Sequence, residues 1–184
     1  MNNLKLILAV AILAALGIGA TPAPISPEEV NDLRWYTIEE VAKIKAENPN
    51  DDKAIFVDVY TDWCGWCKRM DATTFRDQKV QEILGQEFYP VKFDGEAKRE
   101  IELGGTTYKY VPSGRRGYHE LAAALLQGKM TYPTVVLLDA QFNMIQPIPG
   151  YRTAKDLLPI LHFIGTEAYQ NESWEVFSHN WKSR

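Results

Sequence analysis

Residues 54–68 read AIFVDVYTDWCGWCK, and their pattern indicates more about the fold than any other segment of the chain. Its first half, Ala54–Tyr60, is rich in apolar and β-branched residues, which predicts a buried strand. The residues that follow, Lys68–Gln86, predict a helix. Between the two lie Cys64 and Cys67, the only cysteines among the 184 residues. The pair therefore lies at a strand-to-helix junction, where free backbone N–H groups and the positive end of the helix dipole favour a thiolate.

Outside this stretch, apolar periodicity predicts further helices and strands. They are a helix Thr37–Glu47, a strand Phe88–Phe93, two strands Thr134–Leu138 and Met144–Ile148, and a helix Thr153–Ile164. A helical connection between successive strands predicts parallel pairing, while the short turn near Asn143 predicts an antiparallel hairpin. We therefore expect a mixed sheet with helices on both faces.

Residues 95–131 join two predicted strands with more chain than a simple connection needs. Their patterns predict a short helix over Ala97–Leu103, a strand over Thr106–Val111 and a helix over Tyr118–Leu126. We interpret residues 95–131 as an insertion that shapes a substrate surface. Within it, Arg115 and Arg116 either grip an anion or an acidic partner, or simply lie in a solvated loop.

The two ends of the chain differ from its middle. Residues 1–20 carry one lysine before an apolar run and have the layout of a secretory signal peptide, with cleavage after Ala20. The alternative is an uncleaved signal anchor, which alone would bring membrane contact, and either version places the folded part outside the cytoplasmic membrane. Residues 21–34 are read as a linker and N-terminal extension. Residues 166–184 predict a C-terminal helix, whose Trp174, Phe177 and Trp181 seal it onto the body or, alternatively, form a docking face.

Composition excludes some classes of protein. With 46% hydrophobic and 24% charged residues, the chain is an ordinary globular protein. A formal net charge of −4 and the lack of a basic stripe argue against nucleic-acid binding.

Two thiols three residues apart can close and reopen a disulfide locally. We expect Cys64, the exposed thiol at the helix start, to be the attacking thiolate, and Cys67, one turn inward, to resolve the mixed disulfide. The alternatives are a static disulfide, two inert thiols or a zinc site. Zinc is the weakest, because CxxC supplies two ligands where a closed site needs four, and the three histidines lack ligand spacing. We expect no metal or other cofactor, and a thiol–disulfide oxidoreductase.

Asp58 interrupts the apolar strand, where an unpaired carboxylate is costly. Burial would raise its pKa and suit it to shuttle a proton for Cys67. Alternatively, Asp58 points to an edge or pairs structurally with Lys92.

Four features together resemble the thioredoxin superfamily. They are Trp63-Cys64-Gly65-Trp66-Cys67-Lys68, Asp58 six residues before Cys64, Tyr132-Pro133-Thr134 before a predicted strand, and Gly150 after the last hairpin. The run from Thr61 to Met70, followed by Thr73-Thr74-Phe75, is more closely similar to exported bacterial thioredoxin-like domains. The resemblance covers residues 35–165. It implies an α/β, thioredoxin-like three-layer fold, with a mixed central sheet flanked by helices and an extended insertion before the cis-proline strand.

The resemblance also implies site residues. Pro133 would be cis, and Tyr132 before it would offer backbone hydrogen bonds to an extended substrate; a trans-proline that merely starts a strand is the alternative. Trp63 and Trp66 flank the thiols and would contact substrate, although Trp63 is equally suited to core packing.

The expected function is electron exchange between the CxxC dithiol and protein disulfides in the periplasm. Asp58 and Gly65 resemble the reducing branch of the superfamily, whereas strong oxidants carry a histidine between the cysteines. A reductant outside the membrane needs electrons, so a membrane thiol relay is the implied partner. The alternative is a thioredoxin-fold module that binds clients or assists assembly, with an incidental or regulatory CxxC.

Overall fold

The computed structural model describes residues Leu33–Trp181. The predicted signal peptide, and nearly all of the predicted linker, lie outside these residues. The strands are β1 (Ala54–Tyr60), β2 (Phe88–Asp94), β3 (Ile101–Leu103), β4 (Thr106–Tyr108), β5 (Tyr110–Val111), β6 (Tyr118–His119), β7 (Thr134–Leu138) and β8 (Met144–Pro149). The helices are α1 (Ile38–Glu47), α2 (Gly65–Ala72), α3 (Gln78–Glu87), α4 (Glu120–Leu125), α5 (Ala154–Gly165) and α6 (Trp174–Trp181). None of these helices is long and apolar enough to cross a bilayer.

Four strands form one sheet in the order β2-β1-β7-β8. β1 pairs in parallel with β2 and antiparallel with β7, and β7 pairs antiparallel with β8. The predicted mixed sheet and the hairpin near Asn143 are confirmed. The prediction that strands joined by a helical connection run parallel is confirmed for β1 and β2. It is wrong for β2 and β7, which run in opposite directions. The reason is that their connection contains the hairpins β3–β4 and β5–β6 besides α4, so it is not a simple crossover.

Alternation along β1 sends successive side chains to opposite faces of the sheet. Ile55, Val57 and Val59 join one core with residues of α1 and α4, whereas Phe56 joins a second core with residues of α2, α3 and α5. The sheet between these two helical layers confirms the three-layer architecture. Asp58 lies on the Phe56 face, because two residues separated by one position point the same way. The strand thus carries a carboxylate towards the layer that contains α2.

The helix predicted over Lys68–Gln86 is wrong as a single element, because α2 and α3 are separate. Thr73 caps the end of α2, and its hydroxyl donates to the Arg69 carbonyl at 2.7 Å. After a 3₁₀ turn, Asp77 begins α3 by accepting from two backbone N–H groups at 3.0 and 3.2 Å. The break buries Phe75 in the second core.

The helix predicted over Ala97–Leu103 is also wrong, since this segment ends in β3. β3 pairs with β4 through Gly104 and Gly105, whose φ angles are +59° and +75°. A two-residue type I′ hairpin requires positive φ at both central positions, and two glycines supply it without strain. The Gly-Gly pair is the sequence signal for this hairpin. The strand predicted over Thr106–Val111 divides into β4 and β5.

The helix predicted over Tyr118–Leu126 is partly correct, because its first two residues form β6 and α4 starts after them. His119 ends β6 fully buried, and its Nδ1 accepts from the Leu121 backbone N–H at 3.1 Å. The proton therefore lies on Nε2, which donates to the Arg99 carbonyl at 3.0 Å. Since α4 contributes Leu121 and Leu125 to the first core, residues 95–131 are part of the domain's packing.

The tail helix α6 packs on α5 through its aromatic rings. Trp174 and Phe177 lie 5.4 and 5.1 Å from Phe163, measured between ring centroids, and Trp181 lies 4.8 Å from His162. The prediction that these rings seal the tail onto the body is confirmed.

Candidate active site

Cys64 and Cys67 form a disulfide at the start of α2, with their Cα atoms 5.3 Å apart. The Cys67 backbone N–H donates to the Cys64 Sγ at 3.0 Å, so the sulfur occupies the helix-capping position. A negative charge on this sulfur would lie at the positive end of the α2 dipole. The geometry therefore favours Cys64 as the thiolate once the disulfide is reduced. The expectation that Cys64 is exposed is wrong for the disulfide form, because both cysteines are buried, with Cys64 5% and Cys67 2% exposed.

The buried side of the site centres on Lys92. Asp58 and Lys92 are register partners on the parallel strands β1 and β2, and the Lys92 Nζ donates to the Asp58 Oδ2 at 2.6 Å. The same ammonium donates to the Asp71 carboxylate on α2. Asp71 follows Cys67 by four residues, so the two share one face of the helix. The network connects β1 and the outer strand β2 to the helix that carries Cys67.

Burial raises the pKa of Asp58 to about 6, and the nearby Asp71 charge adds to this, while Lys92 opposes it. The Asp58 side chain is 1% exposed, and its Oδ1 has no hydrogen-bond partner among residues 33–181. Burial disfavours the charge of Lys92 too, but the two carboxylates outweigh it and the pKa of Lys92 is raised. Asp58 thus carries one oxygen without a partner among the described residues, and burial raises its pKa towards neutral pH.

Aromatic rings enclose the Lys92 ammonium as well. Its Nζ lies 5.0–5.2 Å from the ring centroids of Trp35, Tyr60 and Phe75. Cation–π attraction therefore reinforces the two carboxylates in keeping the ammonium charged and in place. The alternative that Asp58 pairs with Lys92 is confirmed, while its catalytic role stays a prediction.

Trp63 lies on the surface and is held by three contacts. Its Nε1–H donates to the Glu96 Oε1 at 2.9 Å, the Tyr132 ring meets it edge-on at 5.9 Å, and the Arg116 guanidinium covers it at 4.4 Å. The ring is 49% exposed, so the core-packing alternative is wrong. Arg115 and Arg116 are both exposed in a loop, as the solvated-loop alternative predicts, and Arg116 also stacks on this ring. The insertion thereby reaches the site through Glu96 and Arg116.

Trp66, on the first turn of α2, is 57% exposed and forms a second aromatic surface. Its ring lies 5.4 Å from that of Tyr151. The Arg69 guanidinium lies 5.5 Å from the Trp66 ring and 5.9 Å from the Tyr151 ring, and the Tyr151 hydroxyl lies 3.1 Å from the Thr73 Oγ1. Two tryptophans thus stand exposed within two residues of Cys64, each with an arginine over it.

The Tyr132–Pro133 bond is cis, which confirms the reading made from the resemblance. The Gly150 backbone N–H donates to the Pro133 carbonyl at 2.8 Å and thereby joins the end of β8 to this turn. Gly150 has φ of +88°, which a side chain would strain. Gly95 lies beneath Tyr132, and a Cβ built there would meet the phenol oxygen at 2.5 Å.

No group of three or more potential metal ligands occurs among Leu33–Trp181. Both sulfurs are engaged with each other, and the ring of His119 is hydrogen-bonded on both nitrogens. The described residues therefore present no metal site.

Sequence reasoning missed several residues of the site. Asp71 had a usable signal, because a carboxylate four residues after Cys67 on a helix must lie on its face. Arg69 likewise follows Trp66 by three residues. Glu96 and Tyr151 had none, since only the folded chain brings them to the two tryptophans.

Three comparisons with known proteins bear on this site. A family model described as Thioredox_DsbH, a protein of unknown function (DUF255), matches residues 24–143, nearly two thirds of the chain. Spermatogenesis-associated protein 20 of Homo sapiens is 28% identical over 88 residues, which is 48% of this chain and 11% of that protein. Thiol:disulfide interchange protein DsbD of Salmonella typhi is 32% identical over 65 residues, 35% of this chain and 11% of that protein. This chain thus matches about a tenth of the length of these relatives.

Among solved structures, a thioredoxin-fold protein from Helicobacter pylori matches with a TM-score of 0.53. It is 20% identical, and the match covers 72% of this chain and 81% of that one. At this identity the likeness shows the fold alone. The fold is therefore thioredoxin-like, and the chain is related to thiol:disulfide interchange proteins.

Proposed function

The chain belongs to the Thioredox_DsbH family, and on that premise we propose that it is a thiol–disulfide oxidoreductase that reduces disulfides in protein clients outside the cytoplasmic membrane. One observation carries the proposal: the Cys64 sulfur of the disulfide caps α2, and Asp58, a buried carboxylate whose pKa is raised to about 6, is linked through Lys92 to Asp71 on the same helix. A structural disulfide needs no such carboxylate. A dithiol that must exchange protons at neutral pH does.

The proposed reaction moves two electrons from the dithiol to the client. The Cys64 thiolate attacks one sulfur of a client disulfide, which forms a mixed disulfide and releases the first client thiolate. Cys67 then loses its proton to Asp58, and its thiolate attacks the Cys64 sulfur. The second client thiolate leaves, and the Cys64–Cys67 disulfide remains. The free Asp58 oxygen is suited to accept the proton from Cys67.

Trapping tests this assignment of roles. In the Cys67→Ala variant, Cys64 should form a mixed disulfide with an unfolded reporter protein that holds one disulfide, and nothing should resolve it. Cys64→Ala is the matched control and should trap nothing. A client-binding module would instead hold the same reporter with both cysteines replaced, and that result would overturn the proposal.

The direction of electron flow is tested by the reduction potential of the pair, measured by equilibration with defined thiol buffers. A reductant should have a reduction potential of about −270 mV, whereas an oxidant would have one of about −120 mV. A reductant outside the cytoplasm requires electrons delivered across the membrane, so we propose a membrane thiol relay as its donor. The name of the related interchange protein DsbD is consistent with such a relay.

The proposed location rests on the layout of residues 1–20. If these residues are a signal peptide, the protein recovered from an exporting bacterial cell should begin after Ala20. Mass spectrometry of the intact protein measures this. An intact N-terminus in the membrane fraction would indicate the signal-anchored form, and an intact N-terminus in the cytosol would contradict export.

A further inference from the structure

We propose that the surface formed by Trp66, Arg69 and Tyr151, here called the Trp66 surface, selects clients that carry an acidic side chain within two residues of the reacting cysteine. This inference rests on the proposed function, because it names the substrate class of the same site.

The Trp66 surface offers a cation that lacks a carboxylate partner among residues 33–181, although Arg69 also interacts with the Tyr151 hydroxyl. Arg69 forms no salt bridge with a carboxylate of residues 33–181, whereas other arginines of this domain do, such as Arg34 with Glu40 and Arg99 with Glu39. Asp71, the nearest acidic residue along α2, is bound to Lys92. The Arg69 guanidinium therefore keeps donors available to a ligand.

The two aromatic rings favour binding of a carboxylate by Arg69, because they restrain its guanidinium. Arg69 lies within 6 Å of the ring centroids of both Trp66 and Tyr151, where cation–π attraction restrains the guanidinium. A restrained guanidinium loses less conformational entropy when it binds a carboxylate.

The opposite side of the disulfide carries mixed charge. Arg116 covers Trp63, but Glu96 binds the indole N–H of the same ring and Asp62 precedes it in the chain. A client carboxylate there would meet two carboxylates as well as the guanidinium. The charge asymmetry therefore places the acidic client residue over Trp66 rather than over Trp63.

Chain geometry limits how far the acidic residue can lie from the client cysteine. Trp66 follows Cys64 by two residues and stands on the first turn of α2. An extended client chain advances about 3.3 Å per residue, so residues one or two positions from its cysteine pass over the Trp66 surface. An acidic residue farther away would leave it.

The test uses the full chain, reduced beforehand so that a single turnover needs no electron donor. The probes are eight-residue peptides with one internal disulfide, identical except for Glu, Gln or Lys at the two positions that follow one cysteine. Each rate is divided by the rate at which dithiothreitol reduces the same peptide. The variants are Arg69→Gln and, as a matched control, Arg115→Gln, which removes the same charge from an exposed loop.

We expect the unmodified protein to reduce the Glu peptide about two- to fivefold faster than the Gln peptide, the range of an exposed ion pair, and the Lys peptide more slowly still. Arg69→Gln should abolish this preference, and Arg115→Gln should retain it. Equal rates for the three peptides, or equal loss of preference in both variants, would overturn the inference while leaving the proposed function intact. If the reduced protein reduces none of the peptides, the proposed function itself fails.

Discussion

Between the sheet and α2 the protein buries charged groups, whereas around the Cys64–Cys67 disulfide it exposes aromatic rings. Asp58 is 1% exposed and pairs with Lys92 between strand and helix, while Trp66 is 57% exposed. Charges interact strongly where water is excluded and weakly at the surface. We infer that the buried side controls proton transfer and stability with large effects. Substitutions on the exposed side should change client preference, and their effects should be small.

The largest expected effect is kinetic and comes from the buried side. Asp58→Asn should slow the reduction of substrate disulfides by about 10²-fold at neutral pH, because the proton of Cys67 loses its acceptor. The protein should remain folded, as checked by circular dichroism. The measurement is the single-turnover rate from pH 6 to 9. Equal rates for the variant and the unmodified protein across this range would break the division between the two sides.

The same substitution should change stability in a pH-dependent way. The pKa of Asp58 is raised from 3.8 to about 6 on folding, so the native carboxyl keeps its proton where the unfolded one has lost it. The contribution of Asp58 to the free energy of unfolding is thus fully present below pH 4, and it is lost as pH rises from about 4 to 6. The free energy of unfolding of Asp58→Asn, relative to the unmodified protein, should rise by about 2–3 kcal/mol from pH 4 to 7.5. Urea titrations measure this, and a difference that is independent of pH would contradict the raised pKa.

Gly95 is packed against Tyr132, whose ring contacts the exposed Trp63. Gly95→Ala should lower the free energy of unfolding by about 1–3 kcal/mol, because the new Cβ overlaps the Tyr132 phenol. Gly85→Ala is the matched control: it lies within α3, its nearest neighbour is 4.0 Å away, and it should stabilise by about 0.5–1 kcal/mol. Thermal or urea unfolding compares the two variants. Equal effects would show that the close approach of Tyr132 carries no cost.

The smallest effect is expected on the exposed side alone. Arg116→Gln removes the cation over Trp63 and should lower the free energy of unfolding by no more than about 1 kcal/mol. The rate at which the Gln peptide is reduced should change less than twofold, because Glu96 and Tyr132 still hold the ring. A loss as large as that of Asp58→Asn would mean that the two sides are not separable.

The resemblance and the local patterns were sufficient for much of the fold and the centre of the site. The strand Ala54–Tyr60, the helix after Thr37 and the hairpin near Asn143 were all predicted from periodicity and turn residues. The cis bond before Pro133 was predicted only from the resemblance, because proline alone leaves either isomer open.

The two wrong helix predictions share a cause. Lys68–Gln86 keeps a helical pattern, but Thr73 and Asp77 supply caps that end one helix and start another. Ala97–Leu103 has helix-forming residues, yet the hairpin turn at Gly104 pairs its end as a strand. In both places a few capping or turn residues outweighed the average propensity of the segment.

Local sequence determined where the two thiols lie and that a carboxylate interrupts the strand before them. Spacing along one strand and one helix is enough for that, because their periods are set by the backbone. Tertiary structure decided what surrounds them. Asp71 reaches Lys92, and Glu96 and Arg116 reach Trp63, only because the sheet register and the insertion bring distant segments together. These contacts depend on how distant segments pack together, and a local sequence pattern does not specify that packing.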